Sequence, residues 1–219
     1  MTLPLFGPDS LRQSPRKAEE LLPGAWLFPD FALPVMDSVW QALMQVIQLA
    51  PLQKMQTPKG LWMSVAMTSC GSVGWISSRS GYRYSACDPQ TGRSWPPIPD
   101  ALCSLSQSAA LRAGFDRFVP DSCLINRYEP GSKLSLHQDR DEQDFTQPIV
   151  SVSIGVDATF LLGGFVRTDA TRRVRLSHGD VVVFGGASRL RFHGILPIAH
   201  SHHPLTGNSR YNLTFRKAC

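Results

Sequence analysis

Apolar residues recur at helical spacing in two segments of the first half of the chain. In residues 35–50 they follow one another every three or four positions until Pro51 interrupts the run, which predicts a helix. A second helix is predicted over residues 100–113, with Asp100 as its N-cap residue and Gly114 closing it.

After Gly114 the pattern changes to short apolar segments, each bounded by Gly, Asp or Pro. The segments are CLINRY, KLSLHQD, PIVSVSIG, ATFLLGG, RVRLS, DVVVFGG, RLRFHGI and RYNLTF. Eight short strands with turn residues between them are typical of a jelly roll, in which two antiparallel sheets pack face to face. We therefore expect a mainly β fold, a double-stranded β-helix with two supporting α-helices.

The 219 residues suit one compact domain, and the composition suggests how that domain is organised. Residues 1–24 are punctuated by proline and are expected to form a flexible arm, followed by a single domain over 25–219. The jelly-roll core is expected over 115–219. Residues 54–99 are rich in Trp, Tyr, Gly and Ser and predict short strands joined by turns.

Charge is distributed unevenly along the chain. Residues 158–219 contain nine Lys or Arg residues against two Asp, a net charge of +7, whereas the remainder carries −2. A basic half is compatible with a polyanionic partner such as nucleic acid, although ordinary solubilising charge has the same appearance.

The five cysteines form no CxxC pair and their number is odd, which favours reduced thiols and a cytoplasmic protein. The N-terminus lacks the pattern of a signal peptide. No apolar run approaches the roughly 20 residues that a membrane span requires, so we expect no membrane association.

Candidate metal ligands lie in the β half. His137 and Asp139 stand two positions apart at the end of a predicted strand, so both side chains project to one face. His193 follows 54 residues later in another predicted strand, where by itself it would fit a hydrogen-bonded core histidine. Two His and one carboxylate form the facial triad of non-haem Fe(II) oxygenases. A second His-x-Asp run, at residues 178–180, falls where a hairpin must turn, and we interpret it as turn chemistry.

The last predicted strand presents two arginines on one face. Strand parity separates its polar positions, Arg210, Asn212, Thr214 and Arg216, from its apolar positions, Tyr211, Leu213 and Phe215. Two arginines inside a barrel need an anion, because a buried unpaired guanidinium costs several kcal/mol. A dicarboxylate would satisfy both, whereas arginines exposed on an edge strand would need none.

These motifs together resemble the AlkB family of Fe(II)- and 2-oxoglutarate-dependent dioxygenases, over about residues 54–216. The most specific stretch is LINRYEPGSKLSLHQDRDE, followed by PIVSVSIG, HGDVVVFGG, SRLRFHGI and RYNLTFR. The resemblance implies iron held by His137, Asp139 and His193. It also implies a 2-oxoglutarate pocket formed by Asn126, Arg127, Tyr128, Arg210, Asn212 and Arg216. Within that pocket, Arg210 matches the partner of the carboxylate nearest the iron and Arg216 the partner of the distal carboxylate.

The family's substrate is alkylated DNA, with alkylated RNA as a secondary target. An alkylated base must leave the stack before it can reach the iron, and residues 54–99 resemble the family's lid over the flipped nucleotide. The implied substrate contacts are Trp75 as a stacking residue, Tyr82, Arg83 and Tyr84 at the backbone, and Asp141 and Arg167.

The resemblance implies oxidative dealkylation of N-alkylated bases, of the 1-methyladenine and 3-methylcytosine type, with Fe(II), O2 and 2-oxoglutarate consumed and aldehyde, succinate and CO2 released. We expect a monomer without an obligate protein partner. Two alternatives stay open: a 2-oxoglutarate oxygenase acting on RNA or protein, and a non-catalytic jelly roll that binds nucleic acid.

Overall fold

The computed structural model describes residues 16–219, in which antiparallel strands predominate. Within these residues the strands are β1 (Glu19–Leu22), β2 (Ala25–Phe28), β3 (Gln53–Gln56), β4 (Trp62–Gly71), β5 (Gly74–Ser78), β6 (Gly81–Ser85), β7 (Ser122–Tyr128), β8 (Leu134–His137), β9 (Ile149–Gly155), β10 (Ala158–Leu162), β11 (Arg172–Leu176), β12 (Val181–Phe184), β13 (His193–Ile195) and β14 (Arg210–Arg216). Each of the eight segments expected after Gly114 contains one of the strands β7 to β14.

Two sheets face each other and form the jelly roll. The larger has eight strands in the order β1-β2-β12-β9-β14-β7-β4-β3, and the smaller has four in the order β11-β10-β13-β8. Strands β5 and β6 form a separate two-stranded sheet. The expected fold, a mainly β double-stranded β-helix, is confirmed.

Side chains of the larger sheet alternate between two cores. Those facing the smaller sheet, such as Leu124 and Phe184, pack with Phe160 and Ile195. Those on the opposite face pack under the helices, as Leu213 does. The central strands are therefore covered on both sides, and their inner face is where polar groups of a site can be buried.

The two helices cover the outer face of the larger sheet. Helix α1 spans Met36–Leu49 after a short 3-10 turn, and α2 spans Asp100–Arg112. The N-cap of α2 is Pro99, so the expectation that Asp100 caps it is wrong by one residue. Gly114, with φ of 91°, closes the helix as expected, because its N–H reaches the carbonyl of Leu111. Neither of these helices is long and apolar enough to span a bilayer.

The flexible arm expected over residues 1–24 is wrong at its C-terminal end. Strand β1 pairs with β2, which itself pairs with β12 and so offers a free sheet edge. Arg16 donates to the buried carboxylate of Asp180 at 2.7 and 2.8 Å and also to Asp30 at 2.8 Å. These contacts fix the chain from Arg16 onward, while residues 1–15 lie outside the described part.

The segment expected as a lid over residues 54–99 is divided between two sheets. Strands β3 and β4 extend the larger sheet, because β4 pairs with β7 along six residue pairs. Only β5, β6 and the loop that follows them stand apart from the jelly roll.

Candidate active site

The three predicted metal ligands converge between the two sheets. His137 ends β8 and lies directly opposite His193, the first residue of β13, with the ring centroids 4.4 Å apart. Asp139 follows β8, and its carboxylate oxygens lie 3.6 Å from His137 Nε2 and 3.8 Å from His193 Nε2. One ligand atom from each residue lies within 4.8 Å of the others.

Backbone carbonyls orient both imidazoles toward the same point. His137 Nδ1 lies 2.9 Å from the carbonyl of Ser135, and His193 Nδ1 lies 3.1 Å from the carbonyl of Arg191. A carbonyl only accepts, so each Nδ1 carries the proton and each Nε2 lone pair is free. Fixing the tautomer through the second nitrogen is how proteins prepare histidine as a metal ligand.

Electrostatics keep the triad in its ligating protonation states. Burial would raise the pKa of Asp139, but Arg216 and the two imidazoles outweigh burial and hold that pKa well below its usual range. Burial, together with the neighbouring His137, lowers the pKa of His193 to about 4. Near pH 7 Asp139 is therefore an anionic carboxylate and His193 a neutral imidazole. Both forms suit the binding of Fe(II).

The second His-x-Asp run forms a turn, as expected. It lies between β11 and β12, and Gly179 adopts a φ of 87°. His178 Nδ1 accepts a hydrogen bond from the backbone N–H of Gly155 at 3.1 Å, and its ring lies 4.3 Å from that of His203. Asp180 accepts from the Ser177 N–H and from Arg16, so both side chains of this run bind other parts of the fold and stand apart from the metal ligands.

A buried charge network lies behind the triad. Arg216 Nη2 is 2.7 Å from the Asp139 carboxylate, and Arg216 Nε is 3.2 Å from Glu142. Arg189 donates to Glu142 at 3.1 Å and to the carbonyl of Asp139 at 2.7 Å. The hydroxyl of Tyr84 donates to Glu142 at 2.6 Å. Sequence reasoning missed Glu142 and Arg189, for which the only signal was the acidic run that follows the first ligand.

The opposite end of β14 carries a buried cation with free donors. Arg210 is 0% exposed and donates from Nη2 to Ser153 Oγ at 2.9 Å. Within the described part of the chain, its Nε and Nη1 have no partner, nor do Asn126 Oδ1 and Arg216 Nη1. Burial lowers the pKa of Arg210. An anion with a carboxylate at each end would satisfy both arginines, so these residues fit 2-oxoglutarate.

The order of the two arginines is the reverse of the expected one. Arg216 touches the metal ligand Asp139, whereas Arg210 lies six residues earlier on the same strand, roughly 20 Å away along the backbone. The expectation that Arg210 serves the carboxylate nearest the iron is therefore wrong. Arg216 lines the cavity at the metal end, whereas Arg210 is buried at the opposite end of β14, beyond the residues that line the cavity.

The other expected 2-oxoglutarate residues separate by strand face. Asn126 and Tyr128 line the cavity, and burial raises the pKa of Tyr128 to about 12, which keeps its phenol protonated. Arg127 alternates to the opposite face and pairs with Glu129 at 3.3 Å, so its assignment is wrong. Asn212 also lines the cavity, although its amide already donates to Ser151 Oγ at 2.7 Å.

A cavity of about 710 Å³ connects the triad with the surface. We call Asp139, His193, Asn212 and Arg216 its floor. We call Leu61, Trp62, Trp75 and Tyr82 its mouth.

Of the expected substrate contacts, four lie together along this cavity. The rings of Trp75 and Tyr82 stack at 5.4 Å with an interplanar angle of 16°, and Trp75 Nε1 donates to Asp141 at 2.8 Å. Arg167 lies over the ring of Phe192 at 5.1 Å and donates to the carbonyl of Leu136.

Two expected substrate contacts lie elsewhere. Arg83 donates to Ser80 Oγ at 3.0 Å, outside the lining of the cavity. Tyr84 points inward to Glu142, so it connects the small β5–β6 sheet with the charge network instead of facing the solvent.

A jelly roll that holds a His–Asp–His facial triad and two buried arginines defines a class, the non-haem Fe(II) oxygenases that use a dicarboxylate cosubstrate. The family model of the 2OG-Fe(II) oxygenase superfamily matches residues 24–216.

Known relatives narrow the class. The chain is 49% identical over 216 residues to the alpha-ketoglutarate-dependent dioxygenase AlkB of Salmonella typhimurium, covering 99% of this chain and 98% of that protein. It is 52% identical over 200 residues to AlkB of Escherichia coli, covering 91% and 93%. The solved structure of OsALKBH1 superposes with a TM-score of 0.79 at 30% identity, covering 91% of this chain and 99% of the other. The chain belongs to the AlkB family of Fe(II)- and 2-oxoglutarate-dependent dioxygenases.

Proposed function

We propose that the protein removes alkyl groups oxidatively from N-alkylated bases in DNA, of the 1-methyladenine and 3-methylcytosine type. The observation that carries this proposal is the cavity that joins a metal-ligating floor to a mouth of stacked aromatic rings. Such a mouth fits a planar base, and the floor fits the chemistry of the AlkB family.

Iron would be held by His137 Nε2, His193 Nε2 and the carboxylate of Asp139, whose lone pairs already converge. When bound, Fe(II) with 2-oxoglutarate supplies the oxidising power: one atom of O2 enters succinate as CO2 leaves, and the other enters the N-alkyl C–H bond. The hydroxylated group then leaves as aldehyde: the electrons of the broken C–N bond become the lone pair of the ring nitrogen, and the hydroxyl proton passes to solvent.

The chain itself supplies binding and orientation. Arg216 Nη1 and the free donors of Arg210 would bind the two carboxylates of 2-oxoglutarate, because these buried donors lack partners within the described residues. Burial of Asp139, His193 and Arg216 strengthens the charge–charge interactions of the floor, because the surrounding protein screens charges less than water does.

Recognition of the alkylated base would fall to Trp75, Tyr82 and Asp141. An aromatic face stacks on any base for about 1–3 kcal/mol. The carboxylate of Asp141 is held beside the indole by the hydrogen bond from Trp75 Nε1. It adds a charged acceptor for lesions that are cationic or that carry an exocyclic amine.

Cations around the mouth would bind the phosphate backbone. Lys133, Arg140 and Arg167 all line the cavity. Each phosphate that such a residue neutralises releases counterions, so binding should weaken steeply as salt is raised.

Aldehyde release from methylated oligonucleotides tests the function. Single-stranded DNA, duplex DNA and RNA of one sequence would be compared with and without 2-oxoglutarate, with Asp139→Ala as the inactive control. We expect stoichiometric aldehyde and succinate that depend on 2-oxoglutarate, with DNA as the preferred substrate. Equal or faster turnover of RNA would shift the assignment to RNA, and succinate without aldehyde would contradict dealkylation.

We propose further that the protein acts in the cytoplasm as a monomer. Its five cysteines are free thiols, which suits a reducing compartment. Monomeric action without an obligate protein partner stays a prediction, which size-exclusion chromatography with light scattering would test.

A further inference from the structure

An exposed tryptophan stands at the mouth of the cavity without a role in the function proposed above. Leu61 and Trp62, at the tip of the β3–β4 hairpin, are each 67% exposed and both line the mouth. Large aromatic side chains on a protein surface are typical of contact sites, because burying an indole contributes much of the energy of an interface.

Trp62 differs from the neighbouring Trp75. Trp75 stacks on Tyr82 and donates to Asp141, so its position is fixed by the protein. Trp62 has neither a ring partner nor a hydrogen-bond acceptor among residues 16–219. With 67% of the residue exposed, most of the indole surface is open to a ligand.

The hairpin nevertheless presents Trp62 on a firm backbone. The N–H of Thr57 donates to the carbonyl of Leu61 at 2.8 Å, and the N–H of Gly60 donates to the carbonyl of Thr57 at 2.8 Å. Gly60 adopts a φ of 77°, as the turn requires, and Gln56 pairs with Trp62 across the hairpin. A preorganised aromatic loses little entropy when a ligand binds.

Positive charge surrounds this tip. Lys59 lies in the turn itself, and the Arg79 side chain packs against Gly60, where an added Cβ would meet its Nε at 3.4 Å. Lys133, on the facing segment, also lines the cavity. Aromatic faces set among cations are the combination with which proteins bind single-stranded nucleic acid.

We propose that Trp62 is a second stacking position, which holds the nucleobase next to the alkylated one on the same strand. This inference rests on the function proposed above, since moving the alkylated base into the cavity leaves its neighbour unstacked on one side. The indole of Trp62, at the same mouth as Trp75, covers that exposed face. The hairpin thereby favours substrates with a base, above all a purine, beside the lesion.

The test varies both the base beside the lesion and the side chain at position 62. Single-stranded oligonucleotides with one 1-methyladenine would carry either adenine or an abasic site, first on the 5′ side and then on the 3′ side. For the wild-type protein we expect kcat/KM to be about 5- to 20-fold higher with adenine on one of the two sides. Trp62→Ala should remove that preference, and Trp62→Phe should keep most of it.

Two controls separate stacking from general effects. Leu61→Ala removes an equally exposed apolar side chain without a π face and should keep the preference. Leu111→Ala, on helix α2 and 61% exposed, should change nothing. If Trp62→Ala retains the full preference, or lowers turnover of adenine and abasic substrates equally, Trp62 is not a base contact.

Binding measurements test the stacking position independently of dealkylation. Fluorescence anisotropy with the same labelled oligonucleotides reads the preference without turnover. If the wild-type protein released no aldehyde but bound the adenine substrate more tightly through Trp62, dealkylation would fail and the stacking position would stand. Equal binding of adenine and abasic oligonucleotides by the wild-type protein would overturn the stacking position.

Discussion

The floor and the mouth of the cavity are built on opposite principles. Asp139, His193 and Arg216 on the floor are 8%, 7% and 5% exposed, and the protein's own charges and carbonyls hold them in place. At the mouth, Trp62 is 67% and Tyr82 48% exposed. The floor is thus prepared before any ligand binds, whereas much of the mouth gains its contacts only from the substrate.

This difference has an energetic meaning. Removing one partner of a buried ion pair destabilises the protein by several kcal/mol, because the other partner remains as an uncompensated charge. An exposed aromatic contributes mainly to the affinity for what stacks on it. We therefore expect changes on the floor to abolish chemistry or folding, and changes at the mouth to alter selectivity.

The largest effect should come from the metal ligands. Replacing His137, Asp139 or His193 by Ala should abolish aldehyde release and iron binding, because each removes one arm of the triad. His178→Ala is the matched control, since this histidine also precedes an Asp by two residues but lies in a turn. Iron content and turnover measured side by side decide the matter: loss of iron in the His178 variant with retention in the His193 variant would reverse the assignment.

The second-largest effects should come from the two arginines of β14, whose variants should differ in iron binding. Arg210→Met should raise the 2-oxoglutarate requirement sharply, by the roughly 2–5 kcal/mol of a lost buried charge pair, while leaving iron affinity unchanged. Arg216→Met should raise the 2-oxoglutarate requirement and also weaken iron binding, because Asp139 loses its partner. Titrations of both ligands against each variant provide the measurement, and identical profiles would contradict the order of the two arginines.

Glu142 should matter for the floor as a positioning residue. Glu142→Gln keeps the shape but removes the charge between Arg189 and Arg216, and should lower the free energy of unfolding by about 2 kcal/mol. Tyr84→Phe, which removes only one hydrogen bond to Glu142, should cost about 1 kcal/mol. Urea unfolding gives both values. A Glu142→Gln protein as stable as the wild type would show that the network does not hold the floor.

Near the mouth, we expect Asp141 to affect the selectivity between lesions more than the rate of dealkylation. Asp141→Asn keeps an acceptor for the Trp75 N–H but loses the charge, so selectivity for cationic over neutral lesions should fall about tenfold, at 1.4 kcal/mol per decade. Trp75→Ala should weaken turnover of both lesion classes. Competition between paired oligonucleotides reads the ratio directly, and an unchanged ratio in Asp141→Asn would remove the charge-reading role.

The smallest effect concerns His178, outside both regions. Burial lowers the pKa of His178, so the unfolded chain binds more protons than the folded protein below about pH 6.5. Stability should therefore fall as the pH drops from 7 to 5. His178→Gln, which can still accept from the Gly155 N–H, should show a weaker decline in thermal melts, and an identical decline would indicate that other groups dominate.

The floor could be predicted from the sequence largely because its residues follow strand periodicity. His137 and Asp139 are two positions apart, and the four polar positions of β14 share a face, so local parity already places them. The same parity, applied to β7, would have excluded Arg127, which alternates away from Asn126 and Tyr128. The reversed order of Arg210 and Arg216 could not be read locally, because it depends on which end of β14 meets Asp139.

Long-range contacts account for what the sequence did not reveal. The bond from Tyr84 to Glu142 joins residues 58 positions apart, and no local pattern indicates it. Strand β1 is four residues long, and it forms because β2 presents an open edge. Asp100 stands at the start of α2 as predicted, but Pro99 occupies the cap position because its extended backbone turns the chain into the helix.

Strand β14 is hydrogen-bonded on both sides, to β7 and to β9, over most of its length. The backbone distance between its two arginines is therefore set when the sheet forms. If both guanidinium groups bind the cosubstrate, as proposed, its two carboxylates meet cations that project from two fixed points of the sheet. We therefore expect a diacid one carbon shorter or longer than 2-oxoglutarate to bind more weakly, because it would leave one buried guanidinium without a partner.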